Sequence, residues 1–340
     1  MKNKIGLGIV TYNAPEKIKQ SAFSVSGVDE FVIVNDGKEY SADCYPQGAA
    51  VIQHSKNLRV AHTKNDALKY LMDKGCQHIF LMEDDIIIKD SAVFTKYIEA
   101  ATCSGILHLN FAYQGPYNFK SPINKKKKKG LLGRTFNEKE AIPDPLVIIN
   151  YDEANSIALH RACVGAFSYF HRSVIENSGY FDVFFQNSWE HIEHTYRIIK
   201  DGSHPPFGWF ADIKNSHHYI ENIENCMENS SIAKDPQWKN NSVLGEEYFK
   251  KKHGFGPTKI PKTNENVLMK SLFEIYKNGN KQEKNSSGEI NMGKYFPDLN
   301  GILWLNSHKR NKFKILAPAL KFINHLNNRL SPLYNRITKR

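Results

Sequence analysis

His78-Ile79-Phe80-Leu81-Met82-Glu83-Asp84-Asp85-Ile86-Ile87-Ile88 carries an apolar run straight into three consecutive carboxylates and out into a second apolar run. Apolar residues on both sides read as the end of a buried strand. Three acidic side chains there repel each other and resist desolvation unless a cation or hydrogen-bond donors sit among them. Open α/β sheets place their ligands just beyond the carboxyl ends of strands. The simplest account is an oxygen-rich site for a divalent metal that carries a phosphate ligand; the bland alternative is a solvated turn.

The chain before this stretch has the same grammar. Residues 5–10 form an apolar run ending in Thr11-Tyr12-Asn13, and Pro15 opens a helix of about ten residues to Val25. Phe31 to Val34 is a second strand stopped by Asn35-Asp36-Gly37, Ala50 to Ile52 a third, and Val60 to Asp73 has helical periodicity. Such alternation predicts a Rossmann-like parallel sheet. Further strands are expected at Ile106–Phe111, Leu146–Ile149, Val164–Phe170 and Phe207–Ile213, with a helix over Trp189–Lys200. Between the first two of these lies a polar segment, 114–144, that reads as a mobile loop.

The chain has 340 residues, enough for one large α/β domain with an appendage. No apolar segment has the length of a signal peptide or a membrane span. The five scattered cysteines (Cys44, Cys76, Cys103, Cys163, Cys226) fit a reducing cytoplasm rather than a disulfide frame or zinc site. The net charge of +11 is concentrated: nine Lys or Arg and no acid lie within 299–340, and five lysines fill 125–129. The rest is close to neutral, so no nucleic-acid partner is expected; the pattern suits a membrane surface or an anionic acceptor.

Acidic or polar sites follow strand ends in order: Thr11-Tyr12-Asn13, Asn35-Asp36-Gly37, Glu83-Asp84-Asp85 and Trp189-Glu190-His191, with His217-His218 after the last strand. Together they resemble the family 2 glycosyltransferases, which have the GT-A fold, over about residues 4–220. Gly8 to Asn13 looks like the family's opening strand, and Val32 to Gly37 like its second. Asn57-Leu58-Arg59-Val60-Ala61-His62-Thr63-Lys64-Asn65 resembles its Asn-x-Gly-x-Ala-x-x-Arg-Asn helix start. Gly165-Ala166-Phe167, Gly179-Tyr180-Phe181-Asp182 and Trp189-Glu190 resemble the acceptor-side block.

The resemblance implies a mixed, mainly parallel α/β sheet flanked by helices, with a helical basic C-terminal extension. It gives a catalytic domain over 1–225; composition and periodicity add a helical extension over 226–277, a Lys/Asn/Ser/Gly-rich linker over 278–291 and a basic amphipathic tail over 292–340. Within the catalytic domain, 1–110 would bind donor and 111–225 acceptor. Thr11, Tyr12, Asn13 and Asp36 would line the nucleotide pocket, with Glu83 and Asp84 beside it. Arg59 and Lys64 are either diphosphate contacts or solvated helix residues. Asp85 and Asp84 are the preferred ligands for Mn²⁺ or Mg²⁺, because the triplet reads Glu-x-Asp rather than Asp-x-Asp, with His218 or His217 completing the site. Asp182 and Trp189 fall on the acceptor side.

Inverting transfer needs a base, and the family's Glu-Asp pair here reads Glu190-His191. Glu190 is the first candidate, its pKa expected to rise through desolvation by Trp189. His191 is the second, since imidazole titrates near neutrality. The implied reaction moves a hexose or N-acetylhexosamine from a UDP-sugar to a glycan or lipid-linked glycan of a surface polysaccharide such as capsule, O-antigen or lipooligosaccharide. The alternatives are a sugar nucleotidyltransferase, whose Gly-rich basic N-terminal signature fits poorly, and a non-catalytic basic binding protein. Lys125–Lys129 is either a solvated run or a lid. Phe313, Leu316, Leu320, Ile323, Leu326, Leu330 and Leu333 recur at helical spacing, interrupted by Pro318 and Pro332. They suggest an interfacial helix over 309–340 on an anionic inner membrane face, or a helix packed on the domain or on a second subunit.

Overall fold

The computed structural model describes residues 3–112, 144–186, 188–223, 236–261, 263–279 and 302–303. Lys125–Lys129, Cys226, the linker beyond residue 279 and the tail at 309–340 lie outside the described residues. The elements are β1 (Ile5–Thr11), α1 (Pro15–Phe23), β2 (Glu30–Asn35), β3 (Ala50–Gln53), α2 (Val60–Asp73), β4 (His78–Glu83), β5 (Ile86–Ile88) and α3 (Ala92–Ser104). There follow β6 (His108–Asn110), β7 (Val147–Asn150), β8 (Ser156–His160), β9 (Phe167–His171), α4 (Arg172–Ser178), α5 (Glu190–Lys200), β10 (Phe210–Ile213), β11 (Ile220–Asn222), α6 (Trp238–His253), α7 (Glu265–Gly279) and β12 (Ile302–Leu303).

The central sheet has the order β3-β2-β1-β4-β9-β6. The first four strands are parallel, and β9 runs antiparallel between β4 and β6. The expected mixed, mainly parallel sheet flanked by helices is therefore present. A second sheet, β10-β8-β7-β12, is antiparallel throughout. Nothing in the hydrophobic pattern separates its strands from the main sheet, and β8 itself, like α3 and α4, goes unread in the sequence.

Side chains alternate across the buried strands, as a period of two demands. Phe80 and Met82 of β4 face one core with α1, α3 and the second sheet; Ile79 and Leu81 face another with α2, α4 and α5. On β1, Leu7 and Ile9 join the first core. Gly6 and Gly8 face α2, where an added Cβ would stand 2.6 Å from Cys76 Sγ and 2.7 Å from Ala67 Cβ. The glycines of Ile-Gly-Leu-Gly-Ile-Val thus let α2 lie directly on the sheet. The carboxyl ends of β1, β2 and β4 all reach the same edge.

The two later helices complete this body. α7 places Leu268, Leu272 and Ile275 in the larger core, and α6 packs Phe249 against Phe185 and Ile260. Glu193 of α5 is fully buried, and its carboxylate accepts from Arg197 Nε at 3.0 Å and lies 2.9 Å from Lys252 Nζ and 3.2 Å from His253 Nε2. Arg197 continues to the carbonyls of Ser178 and Tyr180. Removing one partner from such a cluster leaves charge without compensation in a dry setting. Glu193→Ala is expected to destabilise the protein by about 3 kcal/mol in urea unfolding; a loss below about 0.5 kcal/mol would mean the cluster is solvated.

Candidate active site

The acidic turn lies where β4 ends, and its three carboxylates have three different surroundings. Glu83 Oε1 accepts from Lys64 Nζ at 2.8 Å. Asp84 Oδ2 accepts from Thr11 Oγ1 at 2.6 Å and the side chain also takes the Tyr12 amide. Asp85 Oδ1 is buried and has no hydrogen-bond partner. Burial pushes the Asp84 carboxyl up to about 6, moderated by Thr11. Burial, then Glu83 and Asp84, push Asp85 up to about 7.

Lys64 is the largest departure from expectation. It is 1% exposed, and its ammonium donates to Glu83 Oε1, to Gly165 O at 3.1 Å and to Glu190 Oε1 at 3.1 Å. Three hydrogens meet three acceptors, so Lys64 is neither a solvated helix residue nor placed for a diphosphate. Burial alone would lower its pKa; Glu83 and Glu190 reverse that and raise it.

The same contact corrects the reading of Glu190. Burial does act to raise its carboxyl, but Lys64, then His191, hold it well below the usual carboxylate range. A carboxylate stabilised in this way is a weak base. His191 Nδ1 lies 3.3 Å from Glu190 Oε1, so the acid is set to orient the ring. Trp189, at φ 72° before α5, donates Nε1–H to Ser242 O at 3.0 Å and so fastens α6. Asp182 also faces α6: it takes Lys252 Nζ at 2.6 Å and Tyr248 OH at 3.1 Å, and Phe184 N–H at 3.0 Å. Burial opposes these bonds, yet Lys252 and its other donors keep Asp182 below the ordinary range.

Just past the end of β2, Asp36 is buried and accepts from the Leu58 and Arg59 amides at 2.7 Å each and faces His54 Nδ1 at 2.6 Å. Arg59 has φ 77°, in the left-handed region that favours Gly, and its guanidinium donates to Gln237 Oε1 at 3.1 Å. Asn13 Oδ1 takes the Lys38 amide, and a Cβ on Gly37 would stand 2.5 Å from it, so the loops after β1 and β2 touch. Tyr40 goes unread in the sequence. Its hydroxyl takes the Ala14 amide at 2.8 Å and lies 3.2 Å from Thr11 Oγ1. Since Thr11 gives its one hydrogen to Asp84, Tyr40 is the donor to Thr11.

The histidine pair is not brought to the acidic turn. β5 and β11 pair antiparallel, with Asp85 O taking the Ile223 amide while Lys89 N–H reaches Tyr219 O. Lys89 Nζ also donates to His217 O at 3.3 Å, so the pair enters at the Lys89 end of this ladder, whereas Asp85 lies at the other. After burial, the charges acting on His217 are His218 and Lys89. Among the described residues, no three His, Cys, Asp or Glu side chains gather as a metal-holding group. Asp85, with its orphaned oxygen, and Asp84 still fit a hard cation that takes one or two protein carboxylates and fills its shell with phosphate and water.

No family model matches the chain. An uncharacterized glycosyltransferase of Acanthamoeba polyphaga mimivirus is 24% identical over 249 residues, covering 68% of this chain and 86% of that protein. Among solved structures, the mannosyltransferase PcManGT from Pyrobaculum calidifontis, in complex with GDP-Man and Mn²⁺, has a TM-score of 0.45 at 12% identity, over 92% of this chain and 84% of that one. S. aureus TarS 1–349, in complex with UDP-GlcNAc, has 0.41 at 12% identity over 81% of each chain.

The orphaned Asp85 carboxylate has a cost in the metal-free protein. With its pKa raised in the fold from 3.8 to about 7, stability is lost as pH rises through that window. Asp85→Asn is expected to stabilise the metal-free protein by about 1 kcal/mol at pH 8 and by much less at pH 4. Thermal unfolding at both values in EDTA checks this; a gain independent of pH would contradict it.

Proposed function

We propose that this chain is a glycosyltransferase that moves a hexose or N-acetylhexosamine from a UDP-sugar, with inversion, to a glycan or lipid-linked glycan. The observation that carries this reading is one buried ammonium, Lys64, joining the acidic turn through Glu83 to the Glu190–His191 pair. A group that can hold a leaving anion and a group that can take a proton thereby face one edge of the sheet. The name of the mimivirus relative supports the same class.

Asp84 and Asp85 would hold a Mn²⁺ or Mg²⁺ ion, which supplies positive charge against the departing diphosphate when bound. His191 serves as base. It takes the proton of the acceptor hydroxyl as that oxygen bonds to the anomeric carbon, and the bond from that carbon to the diphosphate oxygen breaks with its electron pair. Glu190 holds the Nδ1 side of the ring and stabilises the imidazolium that results, leaving Nε2 for the acceptor proton. Lys64 keeps Glu190 ionised throughout. This assignment inverts the order expected from sequence, where Glu190 stood first.

Asp36 favours uracil on hydrogen-bond arithmetic. A carboxylate has about four acceptor positions, and Leu58, Arg59 and His54 engage three. The remaining position matches the single imide N–H of uracil better than the paired donors of guanine. Among the described residues no helix is long and apolar enough to cross a membrane.

The test is nucleoside diphosphate release from UDP- and GDP-sugars, with Mn²⁺ or EDTA. Turnover of a UDP-sugar in Mn²⁺ is expected, with Asp85→Ala losing the metal-dependent part. His191→Ala should spare donor binding and cut transfer about 10²–10⁴-fold, with Glu190→Gln impaired less. The reading fails if no donor is bound or turned over, or if Asp85→Ala leaves metal-dependent turnover intact. If Glu190→Gln alone abolishes transfer, the base assignment returns to Glu190.

A further inference from the structure

We infer that His54, which the sequence reading does not single out, is a positioning residue for the nucleotide pocket, holding the Asp36 carboxylate in the orientation that fixes the 54–59 loop. The inference rests on the proposed donor site and adds to it the residue that keeps its base-binding acid in register.

His54 is buried, and both ring nitrogens face carboxylates: Nδ1 lies 2.6 Å from Asp36 Oδ1, and Nε2 lies 3.1 Å from Asp66 Oδ2 on α2. Its backbone N–H donates to Asn35 O at 2.9 Å, so the ring springs from a residue already anchored to the end of β2. Asp66 is itself held by Lys69, 3.1 Å from its other oxygen. His54 therefore shares Asp36 Oδ1 with the Leu58 amide, while the Arg59 amide takes Oδ2.

The loop needs this grip. Asp36 takes the amides of both Leu58 and Arg59, and Arg59 is in a left-handed conformation that disfavours a side-chain-bearing residue. A carboxylate free to rotate would release one amide and relax that backbone. The ladder Asp66–His54–Asp36–Arg59 therefore joins α2 to its own N-terminal entry, and the acceptor position left on Asp36 is aimed by it.

Two substitutions separate positioning from bulk stability. In His54→Asn the amide nitrogen stands near the place of Nδ1 and keeps the bond to Asp36. In His54→Gln it stands near the place of Nε2 and keeps only the bond to Asp66. The full-length chain is titrated with UDP, and hydrogen exchange is followed at the Leu58 and Arg59 amides. His54→Gln is expected to weaken UDP binding about tenfold and to speed exchange at both amides. His54→Asn should stay within about twofold of the parent on both, although each variant loses one bond and a similar part of its thermal stability. If the two variants lose affinity in step with their unfolding temperatures, or if exchange at Leu58 and Arg59 is unchanged in His54→Gln, His54 is a structural core residue and the inference is overturned. Failure of the parent to bind UDP would show as absent binding rather than as a difference between variants. It would overturn the proposed donor site, and the positioning role with it.

Discussion

A lysine ammonium withdrawn from water must give each of its three hydrogens to an acceptor, and Lys64 satisfies that demand from three separate parts of the chain. Glu83 comes from the end of β4, Gly165 from the turn before β9, and Glu190 from the first turn of α5. Without the cation, the buried Glu190 carboxylate would lie close to that of the partly exposed Glu83 with no charge to offset it. The packing admits no slack. A Cβ on Gly165 would stand 3.0 Å from both Lys64 Nζ and His191 Cβ, so the residue that lends its carbonyl cannot also carry a side chain without displacing the ion or the imidazole.

Around this fixed charge the remaining electrostatics are uneven. Glu83 is neutralised, and Asp84 is bound by a relay of hydrogens running from the Ala14 amide through Tyr40 and Thr11. Of these three acids, Asp85 alone keeps a buried oxygen without a hydrogen-bond partner. The fold thus concentrates its unmet negative charge on one carboxylate at the sheet edge, the condition under which an added cation gains most. Across Lys64 the sign of the perturbation reverses. Glu190 is held ionised, which makes it a poor proton acceptor and a good partner for an imidazole.

Much of the sheet was legible because its strands are buried on both faces. Phe31–Val34 and Ile79–Met82 show unbroken apolar runs, and Val60–Asp73 shows a helical repeat with the observed bounds. The place of the acidic turn followed from the same runs. What stayed hidden depended on partners distant in sequence. A lysine in a helix reads as solvated, and only the approach of Glu190, 126 residues away, makes Lys64 a core residue. The pKa of Glu190 was misread for the same reason: Trp189 beside it suggested desolvation alone, whereas the decisive neighbour was a cation on another helix. His217 and His218 were placed by their order after the last strand, but the antiparallel register of β5 with β11 carries them to the far end of the ladder. His54 gave no signal, since one histidine between a strand and a helix has no pattern of its own.

The ties between α5 and α6 bear on what counts as the functional unit. Trp189, Asp182 and Glu193 all lie at or near the start of α5, and all three spend their polar groups on α6, at Ser242, Tyr248, Lys252 and His253. The helix that presents Glu190 and His191 is thus braced by a segment beyond the last strand of the resembled core. A fragment cut after β11 would keep Glu83, Asp84, Asp85, Glu190 and His191 and lose the buttress beneath the last two. The smallest portable piece of this architecture extends at least through His253, so any transplant of α5 would have to carry α6 with it.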